Sequence, residues 1–318
     1  MPLYPQTEPL QSGRLSQQDG HSVYWETLGD PSRPAMLLLH GGPGGGIAAR
    51  MPRLFDPSKW HIVAMDQRGG GRSEPHAGDT LDALRDNTTD HLISDIERLR
   101  IELGIAGWYV YGSSWGATLA QAYAHAQPER TMGMILAAVT STSRFEIDFL
   151  YGGAGDFLPE AFEDFLAGAP EGVPGMGMAA AYGDRLMSGE RRIEEEAARN
   201  WCQWEEAVLQ VDPRAEPTGR FEELRFSLGF ARVVTLYFRN LAWLEPPLLE
   251  QASALADIPA ILINSRVDLS TPLSTAWRLH KAMPRSKLVV IPGALHGTLY
   301  GPLSEAVIEA GNSFADDI

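Results

Sequence analysis

Residues 108–127 read WYVYGSSWGATLAQAYAHAQ. Trp108–Tyr111 is aromatic and β-branched, the composition of a strand. Trp115–Gln127 is alanine-rich and stops before Pro128, which predicts a helix. Between them stands Gly112-Ser113-Ser114-Trp115-Gly116, a G-x-S-x-G pattern. A strand before and a helix after are the setting of a tight turn that lifts a serine out at a sheet edge. The flanking glycines permit the close backbone approach such a turn demands. The helix N-terminus behind Ser114 also favours negative charge nearby. Ser114 is therefore the candidate nucleophile, and Ser113, at the x position, takes a turn role.

Outward from this unit, strands and helices alternate. His21–Glu26, Ala35–His40, His61–Met65 and Met132–Val139 are apolar runs of strand length. Asn87–Leu103 carries Leu92, Ile96, Leu99 and Leu103 on one helical face. Such alternation predicts an α/β fold with a mostly parallel central sheet covered on both faces. From about Thr142 to Glu245 the pattern turns helical and aromatic, with a Gly/Pro-rich loop at Gly168–Gly177 and helical stretches at Glu190–Ala207 and Phe221–Trp243. Strands return at Pro259–Asn264 and Lys287–Ile291, around a helical Ser274–Ala282. We expect a core of residues 1–141 and 246–318, with 142–245 inserted as a helical cap over the sheet edge where ligands sit.

Composition narrows the function. With 26 Lys+Arg against 41 Asp+Glu the net charge is −15, which argues against nucleic acid or an anionic membrane as partner. No apolar run approaches the ~20 residues of a membrane helix, and the N-terminal MPLYPQTEPLQSG lacks the apolar core of a secretory signal. One cysteine, Cys202, excludes an internal disulfide and fits a cytoplasmic, reducing compartment. No His, Asp and Glu set has convincing metal-ligand spacing, so neither metal nor cofactor is expected. The expected partner is a small peptide or another small acyl substrate.

A serine hydroxyl needs a base, and the base needs orienting. In this architecture the order is serine, acid, histidine. After the helical segment only His280 and His296 remain. His280 falls on a helix surface, whereas His296 lies in a loop just past the strand ending at Ile291. Asp268 stands four residues beyond Asn264, while Asp257 precedes that strand at the wrong end. Asp268 would orient His296 and stabilise its imidazolium. Acyl transfer also needs two N–H donors for the oxyanion. Trp115, next after the nucleophile, supplies one, and Gly42 in His40-Gly41-Gly42-Pro43-Gly44-Gly45-Gly46 the other. That loop has a rival reading, since Gly44–Ala49 fits G-x-G-x-x-A with Asp66 about 20 residues on. Pro52 and Pro57 break the helix that a dinucleotide site would require.

Taken together, His40–Gly46, Asp66-Gln67-Arg68-Gly69-Gly70-Gly71-Arg72-Ser73, Asn87-Thr88-Thr89, Asp95–Arg100 and Gly112–Gln121 resemble the prolyl aminopeptidase (proline iminopeptidase) family of α/β-hydrolases. The resemblance runs over most of the chain. It implies a serine peptidase that removes an N-terminal residue, usually proline, without metal. It places Ser114, Asp268 and His296 in a triad and Gly42 and Trp115 in the oxyanion hole. The family's W-x-x-W-E block stands here as Trp201-Cys202-Gln203-Trp204-Glu205, which makes Glu205 the implied anchor of the substrate's free amine. A second block, similar to F-A-R-I-E-N-H-Y-F, reads Phe230-Ala231-Arg232-Val233-Val234-Thr235-Leu236-Tyr237-Phe238, with Val234 where the family has another amine-binding glutamate. The aromatic residue usual after the first sheet half is missing from Ala137–Thr140. These departures motivate an alternative: a related amidase, esterase or lactonase acting on an uncharged apolar substrate.

Overall fold

A computed structural model describes residues 2–210, 219–297 and 299–317. Its strands are β1 (Gln11–Ser16), β2 (Ser22–Gly29), β3 (Ala35–Leu39), β4 (His61–Met65), β5 (Trp108–Ser114), β6 (Thr131–Val139), β7 (Ala260–Ser265) and β8 (Ser286–Ile291). They form one sheet in the order β1-β2-β4-β3-β5-β6-β7-β8. The β1–β2 and β2–β4 pairs are antiparallel and all the others parallel.

The helices are α1 (Thr89–Glu102), α2 (Trp115–Ala126), α3 (Arg144–Leu150), α4 (Pro159–Gly168), α5 (Met176–Leu186), α6 (Arg191–Leu209), α7 (Leu224–Arg239), α8 (Leu248–Gln251), α9 (Leu273–Ala282) and α10 (Gly301–Asp316). Six of them, α3 to α8, fall between β6 and β7 in the chain, and α3 to α7 lie within the segment expected to be a cap. Residues 211–218 of that segment lie outside the described residues.

The central strand β3 is apolar at every position because both of its faces are buried. Period-two alternation sorts its side chains. Leu37 and Leu39 join the cluster that contains Leu119 and Ala120 of α2, and Met36 and Leu38 join the one with Leu303 and Val307 of α10. The strands expected from the sequence are all present. Strand β1 was not anticipated: QSGRLS is polar and largely exposed, as suits an edge strand with one neighbour. Helix α10 also went unread, because its buried face uses small residues such as Ala306 and Ala310. Among the described residues no helix is long and apolar enough to cross a membrane.

Candidate active site

The elbow after β5 is built by backbone contact. Ser114 has φ 55° and ψ −128°, a conformation that costs a non-glycine residue roughly 1–3 kcal/mol and must be held by its surroundings. A Cβ on Gly116 would stand 2.1 Å from the Leu39 carbonyl oxygen, and one on Gly112 would stand 2.1 Å from the Gly116 oxygen. Only glycine lets the first turn of α2 touch both β3 and β5 this closely. The turn aims Ser114 into a cavity of about 880 Å³. Gly41, Gly42, Trp115, Glu205 and His296 line the same cavity. Ser113 borders the cavity too but is nearly enclosed within β5.

Asp268 and His296 are joined directly. His296 Nδ1 lies 2.9 and 3.1 Å from the two Asp268 carboxylate oxygens. Asp268 also accepts the Ser270 and Thr271 backbone N–H groups at 2.8 and 3.0 Å and the Thr271 hydroxyl at 2.7 Å. Burial pushes the Asp268 pKa up, but the His296 charge and these donors outweigh it and hold the carboxyl below its usual range. For His296, burial favours the neutral ring, yet the Asp268 carboxylate raises its pKa above the ordinary histidine value. The Nδ1–H is committed to Asp268, which leaves Nε2 for proton exchange. The loop bearing His296 is tied down by the Ser265 hydroxyl, which donates to the Ala294 carbonyl. No hydrogen bond joins Ser114 to His296 among the described residues; catalytic contacts often tighten only when substrate binds.

The glycine-rich loop after β3 is fixed by groups whose purpose the sequence did not reveal. His40 is fully enclosed, and burial lowers its pKa. Its Nε2 accepts the Gln67 N–H at 3.0 Å, so its Nδ1–H donates to the Gly41 carbonyl at 2.9 Å. Gln67 returns its side-chain NH2 to the His40 carbonyl at 2.9 Å and accepts the Trp115 indole N–H at 2.8 Å. One glutamine thus clips together the two segments that carry Gly42 and Trp115. Asp66 accepts the Ile47 N–H at 2.6 Å and Arg72 Nε at 2.7 Å. A Cβ on Gly70 would sit 2.6 Å from the Gly44 oxygen, so the two glycine-rich loops meet backbone to backbone. Arg68 is held by a buried two-bond pair with Asp95 at 2.6 and 2.8 Å. Tyr237 of α7 reaches Asn87 at 2.8 Å and packs edge-on against Trp115 at 4.9 Å.

Glu205 sits on α6, facing the cavity. It accepts the Tyr151 hydroxyl at 2.6 Å. Burial raises its pKa, opposed by Tyr151, Arg220 and His296. Tyr151 and Arg220 were both missed in the sequence: Tyr151 follows α3 with no local pattern around it, and Arg220 precedes α7 among residues of mixed charge. Phe230 and Phe238, one helical turn either side of Val234, line the cavity. Val234 is itself fully buried and takes no part in that lining.

Residues 34–301 match the family model described as the alpha/beta hydrolase fold. The proline iminopeptidase of Xylella fastidiosa (strain Temecula1) is 39% identical over 315 residues, covering 98% of this chain and 99% of that protein. The proline iminopeptidase of Arabidopsis thaliana is 39% identical over 311 residues, covering 97% of this chain and 80% of that protein. Among solved structures, the esterase RhEst1 from Rhodococcus sp. ECU1013 superposes with a TM-score of 0.62 at 16% identity, covering 96% of this chain and 98% of that one. The elbow, the interlocked glycine-rich loops and this full-length likeness lead to one conclusion: the chain belongs to the proline iminopeptidase family and has the α/β-hydrolase fold.

Proposed function

We propose that this protein, a hydrolase of the prolyl aminopeptidase type, releases an N-terminal residue, preferably proline, from peptides through an acyl-enzyme on Ser114. One observation carries this reading: Ser114, His296 with Asp268 bonded behind it, and the Glu205 carboxylate meet at a single cavity, which Ser114, His296 and Glu205 line. Ser114 Oγ attacks the carbonyl carbon while its proton passes to His296 Nε2. The backbone N–H groups of Gly42 and Trp115 receive the oxyanion. Collapse breaks the C–N bond, and His296 returns the proton to the departing amine. Water then attacks the ester carbonyl, giving up a proton to His296; collapse breaks the C–Oγ bond, and His296 returns that proton to Ser114 Oγ as the carboxylic acid leaves. Glu205, oriented by Tyr151, anchors the free amine. Asp268 orients His296 throughout.

Residues 142–245 serve as the cap that closes this cavity over residues 1–141 and 246–318. Cytoplasmic work is supported by the single buried cysteine, and the acidic chain favours small peptides over nucleic acid or membrane surfaces as partners. The test is steady-state kinetics on a proline anilide and a simple acyl ester. Aminopeptidase action requires anilide turnover and an anilide-to-ester ratio of kcat/KM that falls when Glu205 is changed to Gln. A second reading, an amidase, esterase or lactonase for an uncharged apolar substrate, is favoured by Phe230 and Phe238, which line the cavity while Val234 between them supplies no second carboxylate. Ester turnover without any anilide turnover selects it.

A further inference from the structure

Three neighbouring strands deliver the two proposed oxyanion donors and the residue that joins them. In the sheet, β3 lies between β4 and β5. Gln67 stands just past the end of β4, Gly42 just past the end of β3, and Trp115 directly after β5. Gln67 is buried, and both ends of its amide are engaged. Its side-chain NH2 donates to the His40 carbonyl at 2.9 Å, and its side-chain oxygen accepts the Trp115 indole N–H at 2.8 Å. Its backbone N–H donates to His40 Nε2 at 3.0 Å, and its backbone carbonyl accepts the Gly70 N–H at 3.2 Å. It therefore grips His40, two residues before Gly42, at both ring and carbonyl. It also grips Trp115, the other donor residue, by the side chain. The His40–Gly46 loop lies directly on the nucleophile, since a Cβ on Gly41 would stand 3.2 Å from Ser114 Cβ. Gln67 itself takes no part in the cavity lining.

A buried amide is costly unless both of its ends are paired, and an apolar side chain of similar size carries no such demand. What the amide supplies here is a fixed distance. An oxyanion is stabilised only when both donors lie about 2.7–3.1 Å from the oxygen that gains the charge. Gly42 and Trp115 follow different strands, so neither segment alone sets their separation. A misplacement of about 1 Å costs on the order of a hundredfold in rate. We propose that Gln67 is the positioning residue of the oxyanion hole: by bonding the β3 loop to the β5 elbow it sets the spacing of the Gly42 and Trp115 N–H groups, and so the stabilisation of the tetrahedral intermediate. The inference rests on the acyl-enzyme reading of Ser114. It does not depend on which acyl group is carried, so a simple ester tests it as well as a proline anilide.

The experiment follows ester hydrolysis by the full chain, by Gln67→Met, by Trp115→Phe and by the double variant. Active sites are counted by fluorophosphonate titration, so unfolded molecules do not enter kcat. Gln67→Met fills similar space and removes both side-chain bonds, while the backbone N–H to His40 remains. Trp115→Phe removes the indole N–H but keeps a ring and the backbone donor. Gln67→Met should lower kcat roughly ten- to a hundredfold, less than outright loss of a donor, with KM within about threefold of the parent. An aryl trifluoromethyl ketone reads the hole directly. Ser114 Oγ bonds to its carbonyl carbon, the serine proton passes to His296, and the carbonyl electron pair leaves the oxygen as the oxyanion. Its affinity should fall by a factor similar to that in kcat. Trp115→Phe should show a smaller loss of the same kind. The double variant should lose less than the product of the two, because both changes break one bond. A lower melting temperature with kcat per site and ketone affinity unchanged makes Gln67 a structural residue only and overturns the proposal. A loss confined to KM, or losses that multiply fully, overturns it too. If Gln67→Met does not fold, Trp115→Phe decides alone: matched losses in kcat and ketone affinity support the proposal, and none overturns it. A parent that turns over neither ester nor proline anilide and resists labelling removes the acyl-enzyme reading and this inference with it. Parental turnover that the variants retain removes this inference alone.

Discussion

The sheet edge and the helical segment between β6 and β7 hold their functional groups by different means. At the edge, position is set by backbone against backbone: Gly116 on the Leu39 oxygen, Gly70 on the Gly44 oxygen. Asp268 is fixed by three donors besides His296. In the helical segment, Glu205 is carried on a helix wedged among rings, with Tyr151 on Trp201 at 4.6 Å, Phe165 on Tyr182 at 4.8 Å and Phe165 on Trp204 at 5.3 Å. Backbone contacts admit one residue type, whereas ring packing tolerates repacking at modest cost. On the proposed function, reaction geometry is therefore written in the less forgiving half and substrate choice in the more adaptable one.

The most severe break in this division is removal of the proposed nucleophile. Ser114→Ala should lower proline-anilide kcat by about 10⁴-fold or more and abolish fluorophosphonate labelling, with the melting temperature little changed. Residual turnover within tenfold of the parent would displace Ser114 from its role. Next comes the same-sized change placed in each half. Gly116→Ala drives a Cβ to within 2.1 Å of a backbone oxygen and should cost about 4 kcal/mol or more, at the extreme of single-residue effects. Gly183→Ala in α5 meets the far end of the Arg239 side chain at 3.0 Å. There the helix-propensity gain of about 1 kcal/mol offsets the contact, so stability should stay within about 1 kcal/mol of the parent. Denaturant melts of the two variants decide whether backbone contact really separates the regions.

A third substitution addresses substrate choice. Glu205→Gln should reduce the anilide-to-ester kcat/KM ratio by roughly ten- to a hundredfold, the loss of one hydrogen-bonded charge. Tyr151→Phe, which removes the 2.6 Å bond that orients Glu205, should reduce it less. An unchanged ratio in both would move amine recognition elsewhere in the cavity.

The same contrast explains what could be read from the sequence. G-x-S-x-G was legible because the sterics of the elbow forbid alternatives at Gly112 and Gly116. Asp268 and His296 were legible because each follows a strand whose apolar run is continuous. Gln67 was quoted within a motif, yet its clip between His40 and Trp115 depends on three segments meeting in space. Glu205 was found only through a resemblance; on its own helix it stands beside Glu206 with nothing local to set it apart. Tyr151 and Arg220 had no such help, since what defines them is a cavity assembled from distant elements. Val234 is a different case. The sequence pattern put it forward as the place of a missing amine-binding glutamate, and the structure adds that its side chain is packed out of the lining.

Protonation distinguishes the halves by a smaller margin. The Asp268 carboxylate overcomes burial and raises the His296 pKa, and only the neutral ring can take the serine proton. As pH falls through that raised value, His296 becomes charged and the rate drops. The acid limb of kcat/KM for an uncharged ester should therefore have its midpoint above the ordinary histidine value of about 6.5. Asp268→Asn should move the midpoint down as well as lowering the rate. A limb at or below 6.5 in the parent would mean that burial, not Asp268, governs the ring.

The smallest effect is expected where α7 meets the loop after β4 at the surface. Arg225 grips Asp79 with contacts of 2.8 to 3.0 Å, but the two side chains are 46% and 53% exposed. Water and salt screen such a pair, and holding two long side chains offsets much of the attraction. About two helical turns further on, Arg232 is buried and donates to the Ala77 and Leu186 carbonyls and to Glu194 at 2.8 to 3.0 Å. The seam's strength lies with that enclosed residue. Arg225→Gln should accordingly change unfolding free energy by less than about 1 kcal/mol, and 1 M salt should erase the difference. A larger loss that survives high salt would mean the helical segment is fastened to the sheet at its exposed rim, and that the adaptable half is held less by packed rings than the other measurements assume.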